Sequence, residues 1–190
     1  MTCAWKGTIA DLKKLEKEGA LIATITQGYC RVYKKISESE QRSWRNSFPA
    51  LIKALASPEF DSLQVLIELQ MPVGAERADV VLLGGQLKKR SALVIEFKQW
   101  SFVTVDLKNF EVLTRDRERY QHPSVQALNY SGKLKMFHSL AMDYLLKSVV
   151  VLPNFPKERK RELISGLPST LIRKAPILCQ EEYEALAQFV

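Results

Sequence analysis

At 190 residues, 46% hydrophobic and 26% charged, the chain is long enough for one domain with a buried core and too apolar to be disordered or low-complexity. Lys plus Arg outnumber Asp plus Glu by 28 to 21, a formal charge of +7 that favours polyanionic partners without naming one. Cys3, Cys30 and Cys179 are odd in number and in no metal-ligand spacing, which argues against a disulfide framework or a cysteine zinc site and for a reducing compartment.

The start lacks the pattern of a signal peptide, and the apolar stretches at residues 20–29 and 144–152 are too short or too polar to span a bilayer, so a cytoplasmic protein with no membrane partner is expected. Ile9, Leu12 and Leu15 recur at helical spacing, and Gly19 stands where such a helix would stop. Residues 20–33 mix β-branched side chains with helical spacing, and helix is the expectation. Ser37 or Ser39 can cap a stronger helix running to about Ala56, with Trp44, Phe48, Leu51, Ile52 and Leu55 on one face. Pro49 stands inside it as a kink or break, and Pro58 closes it.

Three β-type runs follow, at residues 63–69, 78–83 and 92–100, and read as a meander. Residues 106–121 read as a polar, charge-rich connection. His122-Pro123 opens a helix to about Leu140, and the valine-rich run at 145–152 reads as a buried strand. A basic helix around 157–167, a proline-punctuated loop and a final helix over 180–189 complete the chain. The expectation is a single α/β domain over residues 1–190: helix, three-stranded meander, helix, strand, with extra N- and C-terminal helices.

The second and third strands are joined by a short loop and are most simply an antiparallel hairpin. If Leu83 faces Ala92, paired positions sum to a constant and Asp79 faces Glu96. Alternation then puts Glu96 and Lys98 on one face, with Leu93, Ile95 and Phe97 on the other. Hard oxygen ligands so close attract Mg²⁺ or Mn²⁺, which acidifies a bound water and neutralises charge on a phosphoryl oxygen, while the lysine orients the water or stabilises the transition state. Acid-any-lysine spacing is itself unspecific, occurring at Asp11, Glu96, Asp106 and Glu158, but only Glu96 lies in an apolar strand with an acid opposite. An ion pair at a sheet end is the competing reading.

Arg77-Ala78-Asp79-Val80-Val81-Leu82, followed by Val94-Ile95-Glu96-Phe97-Lys98-Gln99-Trp100, resembles the PD-(D/E)XK nuclease superfamily, whose restriction-endonuclease-like core has the element order read above. His122-Pro123-Ser124-Val125-Gln126-Ala127-Leu128-Asn129-Tyr130 resembles the glutamine-to-tyrosine motif of its RecB-like members. Ser43-Trp44-Arg45-Asn46-Ser47 with the apolar helix after it resembles the N-terminal nuclease-like domain that precedes a P-loop helicase module in some bacterial proteins. The likeness covers residues 37–152. It departs at Ala78, where the superfamily name has proline, and the chain contains no Gly-rich Lys-Ser/Thr phosphate loop.

The resemblance implies a Mg²⁺- or Mn²⁺-dependent nuclease acting on DNA in preference to RNA. Asp79, Glu96 and the Phe97 backbone carbonyl would hold the metal and Lys98 would be the catalytic lysine. Gln126 would orient that lysine or touch the substrate, supported by Tyr130 one turn later. Glu40 and Glu68 are candidate further acids, each with an equal reading as a surface residue. Lys88, Lys89 and Arg90, with residues 115–119 and 157–161, are candidates to line a nucleic-acid groove, and solvation alone explains them equally. His122 is a candidate phosphate contact, with a structural role at the helix start favoured; Trp100 reads as packing in preference to base stacking. A partner or fused helicase/ATPase is implied, and the alternative to an enzyme is a non-catalytic nucleic-acid-binding module serving it.

Overall fold

In the computed structural model, which describes residues 2–86 and 89–190, a short strand β1 (Trp5–Thr8) precedes helix α1 (Ile9–Lys17). Thr8 ends the strand and caps the helix: its hydroxyl accepts the Asp11 N–H while the Asp11 carboxylate accepts the Thr8 N–H. Helix α2 (Leu21–Tyr33) resolves the ambiguous stretch as helix and buries Leu21, Ile25 and Tyr29, four residues apart. Ser37 and Glu40 repeat the reciprocal cap at α3 (Glu38–Ala54), which runs unbroken through Pro49 because the burial of Trp44, Phe48 and Leu51 outweighs the lost backbone bond.

The meander consists of β2 (Gln64–Gln70), β3 (Arg77–Gln86) and β4 (Lys89–Phe97), antiparallel throughout; the last strand stops at Phe97, short of the expected Trp100. Residues 106–121 are not a plain connection. Strands β5 (Val103–Asp106), β6 (Glu111–Thr114) and β7 (Arg119–Gln121) form a separate three-stranded antiparallel sheet. They bury only Val103 and Val112, so no alternating apolar run marks them.

Helix α4 (Pro123–Phe137) carries the chain across to β8 (Tyr144–Val151), which lies parallel to β4. The tail was expected to be a basic helix, a loop and a helix. It instead comprises a short helix α5 (Lys160–Ile164), a second short helix α6 (Ser169–Lys174), an edge strand β9 (Ile177–Leu178) and a 3-10 helix over Tyr183–Phe189. Each terminal extension thus adds a strand, and the main sheet is six-stranded and mixed, in the order β1-β2-β3-β4-β8-β9. This is a mixed α/β architecture, and among the described residues no helix is long and apolar enough to cross a membrane.

Helices α1 to α3 cover one face of the sheet, where Ile9, Leu12, Phe48 and Leu51 pack with Ile67, Val80, Ile95 and Phe97. On the other face Tyr130 and Leu134 of α4 pack with Leu69, Ala78, Val81 and Val94. Ile67 and Leu69 are two residues apart and on a regular strand would share a face. They do not, because Glu68 between them has φ +52, and Ala78 and Val80 opposite them divide between the two faces in the same way. The sheet therefore turns over locally at Glu68 and Asp79.

Gly28 lets α2 close on the segment leading into β1. A Cβ at Gly28 would stand 1.9 Å from the Ala4 carbonyl oxygen, and the Ala4 N–H donates to Ile67 at 2.9 Å, so the segment cannot retreat without giving up a sheet bond. Gly28→Ala is expected to destabilise the fold by about 1–3 kcal/mol despite the better helix propensity of alanine. The check is a lower urea midpoint at unchanged m-value.

Candidate active site

The β3–β4 hairpin pairs Leu83 with Ala92 and Val80 with Ile95, and the same register carried one residue further sets Asp79 opposite Glu96. On the other side of β3, the pairs Ile67–Val80 and Leu69–Ala78 bracket Glu68 and Asp79. Three acids, Glu68, Asp79 and Glu96, therefore occupy one row across three neighbouring strands.

The Asp79 carboxylate accepts the Phe97 N–H at 2.7 Å, which ties the end of β4 to β3. Glu96 is 2% exposed; its Oε1 accepts from Lys98 Nζ at 2.8 Å, and its Oε2 is buried without a hydrogen-bond partner. Burial, and next the charge of Glu96, push the Asp79 carboxyl up to about 8, against the pull of Lys98 and the Phe97 N–H. Burial also raises Glu96, although Lys98 opposes it. For Lys98 burial works to lower the pKa, but the attraction of Glu96 and Asp79 outweighs it, so the ammonium is held charged. Its Nζ lies 5.5 Å from the centre of the Trp100 ring, and that ring stands 5.6 Å from Tyr120 of β7. The small second sheet thus forms a wall beside the lysine.

Glu40 and Glu68, candidates for a metal or for a surface role, are both engaged by other side chains. Arg77 donates from Nε to Glu68 and from Nη2 to Glu40, each at 2.9 Å, with its guanidinium 5.1 and 4.8 Å from the rings of Tyr29 and Tyr33. The second oxygen of Glu68 accepts the Trp44 indole N–H, and Glu40 also accepts from Tyr29 and Ser37, so both oxygens of each acid are engaged. Burial, and then the charge of Asp79, push Glu68 up to about 7, while Arg77 and Trp44 oppose the shift. Glu40 feels burial in the same sense, but its bonds from Ser37 and Tyr29 hold it below the usual range. Among the described residues no three His, Cys, Asp or Glu side chains converge as a ready-made cage; Asp79 and Glu96 supply two acids.

A cleft of about 310 Å³ opens over Glu68 and Asp79 between α3 and α4, with Trp44, Phe48, Phe97 and Tyr130 also in its lining; Glu96 and Lys98 do not line it. Gln126 of α4 donates to the Tyr130 hydroxyl at 2.6 Å rather than to the lysine side of the site, so the two act as one unit on the helix face. His122 takes the favoured structural role at the helix start, not the phosphate contact for which it was also a candidate. It is fully buried, its Nδ1 accepts the Ser124 N–H as the α4 cap, and its Nε2 lies 3.2 Å from the Leu163 carbonyl, which requires the proton there. Arg90 sits at the opposite end of β4 from Glu96, its guanidinium 5.8 Å from the Tyr144 ring. Lys89 pairs through its backbone with Gln86 at the hairpin end, and Lys88 lies outside the described residues.

Arg77 had no role in the sequence reading. The register of the first hairpin could have found it, since Gln70 pairs with Arg77 and Leu69 with Ala78, which brings Arg77 near Glu68. Tyr120 gave no such signal because it lies on a three-residue strand. Comparison of the chain with protein-family models, curated proteins and solved structures finds no match.

A carboxyl whose pKa is higher in the folded than in the unfolded chain supports the fold while protonated. That support is complete below the unfolded value near 4 and is lost as pH rises through the folded value, about 8 for Asp79 and about 7 for Glu68. In chelator-containing buffer the melting temperature is therefore expected to fall between about pH 5 and pH 8.5, and Asp79→Asn to flatten the decline. Equal slopes for wild type and variant in circular-dichroism melts would contradict the buried-charge account of Asp79.

Proposed function

We propose that the chain is a Mg²⁺- or Mn²⁺-dependent nuclease of the PD-(D/E)XK superfamily with a restriction-endonuclease-like core, hydrolysing phosphodiester bonds of DNA in preference to RNA. The observation that carries this reading is the Glu96 carboxylate, with one oxygen on Lys98, the other buried without a protein partner, and Asp79 opposite by the continued hairpin register. An ionised oxygen without a partner in the interior is costly, and a hard cation shared with a second carboxylate removes that cost. The order α3, β2, β3, β4, α4, β8 supports the same core.

The donor set fits the ion. Mg²⁺ is commonly held by one or two carboxylates, with water and substrate phosphates filling its other positions, so Asp79, Glu96 and the Phe97 carbonyl suffice. When bound, the cation neutralises charge at a phosphoryl oxygen and acidifies a water molecule. Lys98, kept charged by its two acids, orients the attacking water or stabilises charge on the substrate. Tyr130 presents a polar group to the substrate from the α4 side of the cleft, with Gln126 holding its hydroxyl.

A non-catalytic nucleic-acid module serving a helicase or ATPase is the second reading, favoured by one observation: Glu96 and Lys98 neutralise each other at 2.8 Å. The readings separate on incubation of the protein with single- and double-stranded DNA and RNA in Mg²⁺ or Mn²⁺. Glu96→Ala and Lys98→Ala are each expected to slow cleavage by roughly 100-fold or more. Cleavage by both variants at the wild-type rate would sink the site assignment, and binding without cleavage would favour the module. Independently of activity, saturating Mg²⁺ at about pH 8 is expected to stabilise the wild type by ~2–3 kcal/mol and to leave Asp79→Asn unchanged, as read by thermal melts.

A further inference from the structure

Helix α4, strand β8, helix α6 and the C-terminal segment enclose a second groove of about 640 Å³. Lys135, Lys147, Arg173 and Lys174 line it together with Tyr144, whose ring carries Arg90 at 5.8 Å, and no acidic side chain is among the described residues of the lining. Five bases outside the groove, Lys13, Arg77, Lys133, Arg159 and Lys160, each stand against a carboxylate. Among the described residues no ion pair engages the four cations of the groove; Lys147 donates instead to the Phe189 carbonyl at 3.0 Å.

Gly132 also lines the groove, from the interior of α4. A glycine there costs the helix about 1 kcal/mol relative to alanine. No neighbour demands it, because a Cβ at Gly132 would meet nothing within 4 Å. Its effect is a bare stretch of helix wall open to close approach.

We infer that this groove binds the sugar-phosphate backbone of a nucleic acid at a site separate from the carboxylates. Cations from α4, β8 and α6 surround a space far larger than one phosphate, which suits a ligand with repeated charges that releases counterions as it docks. The Arg90–Tyr144 end of the β4–β8 pair lies six residues from the Glu96–Val150 pair, about 20 Å along the strands. Binding here uses neither metal nor cleavage, so it stands or falls apart from the nuclease reading.

The test is fluorescence anisotropy of labelled duplex and single-stranded oligonucleotides with the full chain in EDTA, as a function of salt. The Arg173→Gln/Lys174→Gln double variant is expected to weaken binding irrespective of base sequence. For duplex it should reduce the slope of log K against log salt by about 1.8, two phosphate contacts at roughly 0.9 each. Gly132→Glu places an acid in the groove without crowding the fold and is expected to weaken binding roughly fivefold or more at low salt. Gly132→Gln should bind as wild type, and both Gly132 variants should melt at or above the wild-type temperature. Absence of wild-type binding, an unchanged salt slope in the double variant, or equal losses for the Glu and Gln variants would overturn the proposal. So would competition by polyglutamate as effective as that by an oligonucleotide of equal charge.

Discussion

Two carboxylates side by side on a strand pair, one buried and one at the floor of a cleft, repel each other and lose hydration, and the centre of this molecule is built around that problem. The hairpin register carried one residue past Val80–Ile95 brings Asp79, half-buried at the cleft, against the buried Glu96, and Lys98 two residues on is the cation that makes the pair tolerable. The compensation is incomplete: one Glu96 oxygen has no partner and the Asp79 proton is held to about 8. Interiors shaped only for stability seldom keep such a group. A site that gains a divalent cation during its working cycle has a use for it.

The rest of the cleft follows from how the sheet bends there. Glu68 in the left-handed region turns β2 over, so its side chain reaches Trp44 and Arg77 instead of joining Asp79 and Glu96. Arg77 in turn gathers Glu40, Tyr29 and Tyr33, linking α2, α3 and β3 in one charged network under the cleft floor. That network engages both oxygens of Glu40 and Glu68 and leaves Asp79 and Glu96 outside it. Backbone strain of this kind costs of order 1–3 kcal/mol and persists only where the surroundings hold it, here through three hydrogen-bonded or ion-paired elements.

Legibility tracked the length and burial of each element. The long amphipathic α3, the three core strands and the valine-rich β8 announced themselves because burial imposes one strict period over many residues. The second sheet and β9 did not, since strands of two to four residues with at most a pair of buried side chains carry no period to read. His122 was legible only in part for a related reason: His-Pro marks a helix start, but only packing against Leu163 decides that the ring is sealed from solvent and excluded from phosphate contact.

By itself the sequence determined that two strands joined by a short turn make an antiparallel hairpin; with Leu83 set against Ala92, as the structure has it, pairing sums and side-chain alternation bring Asp79, Glu96 and Lys98 together by local rules. The tertiary structure decided the rest of the site. A positive φ at one residue, an arginine shared between two glutamates, and the drawing together of Lys135, Lys147, Arg173 and Lys174 depend on elements distant in the chain. Such contacts obey no sequence period, since they are set by which surfaces pack together to bury the core.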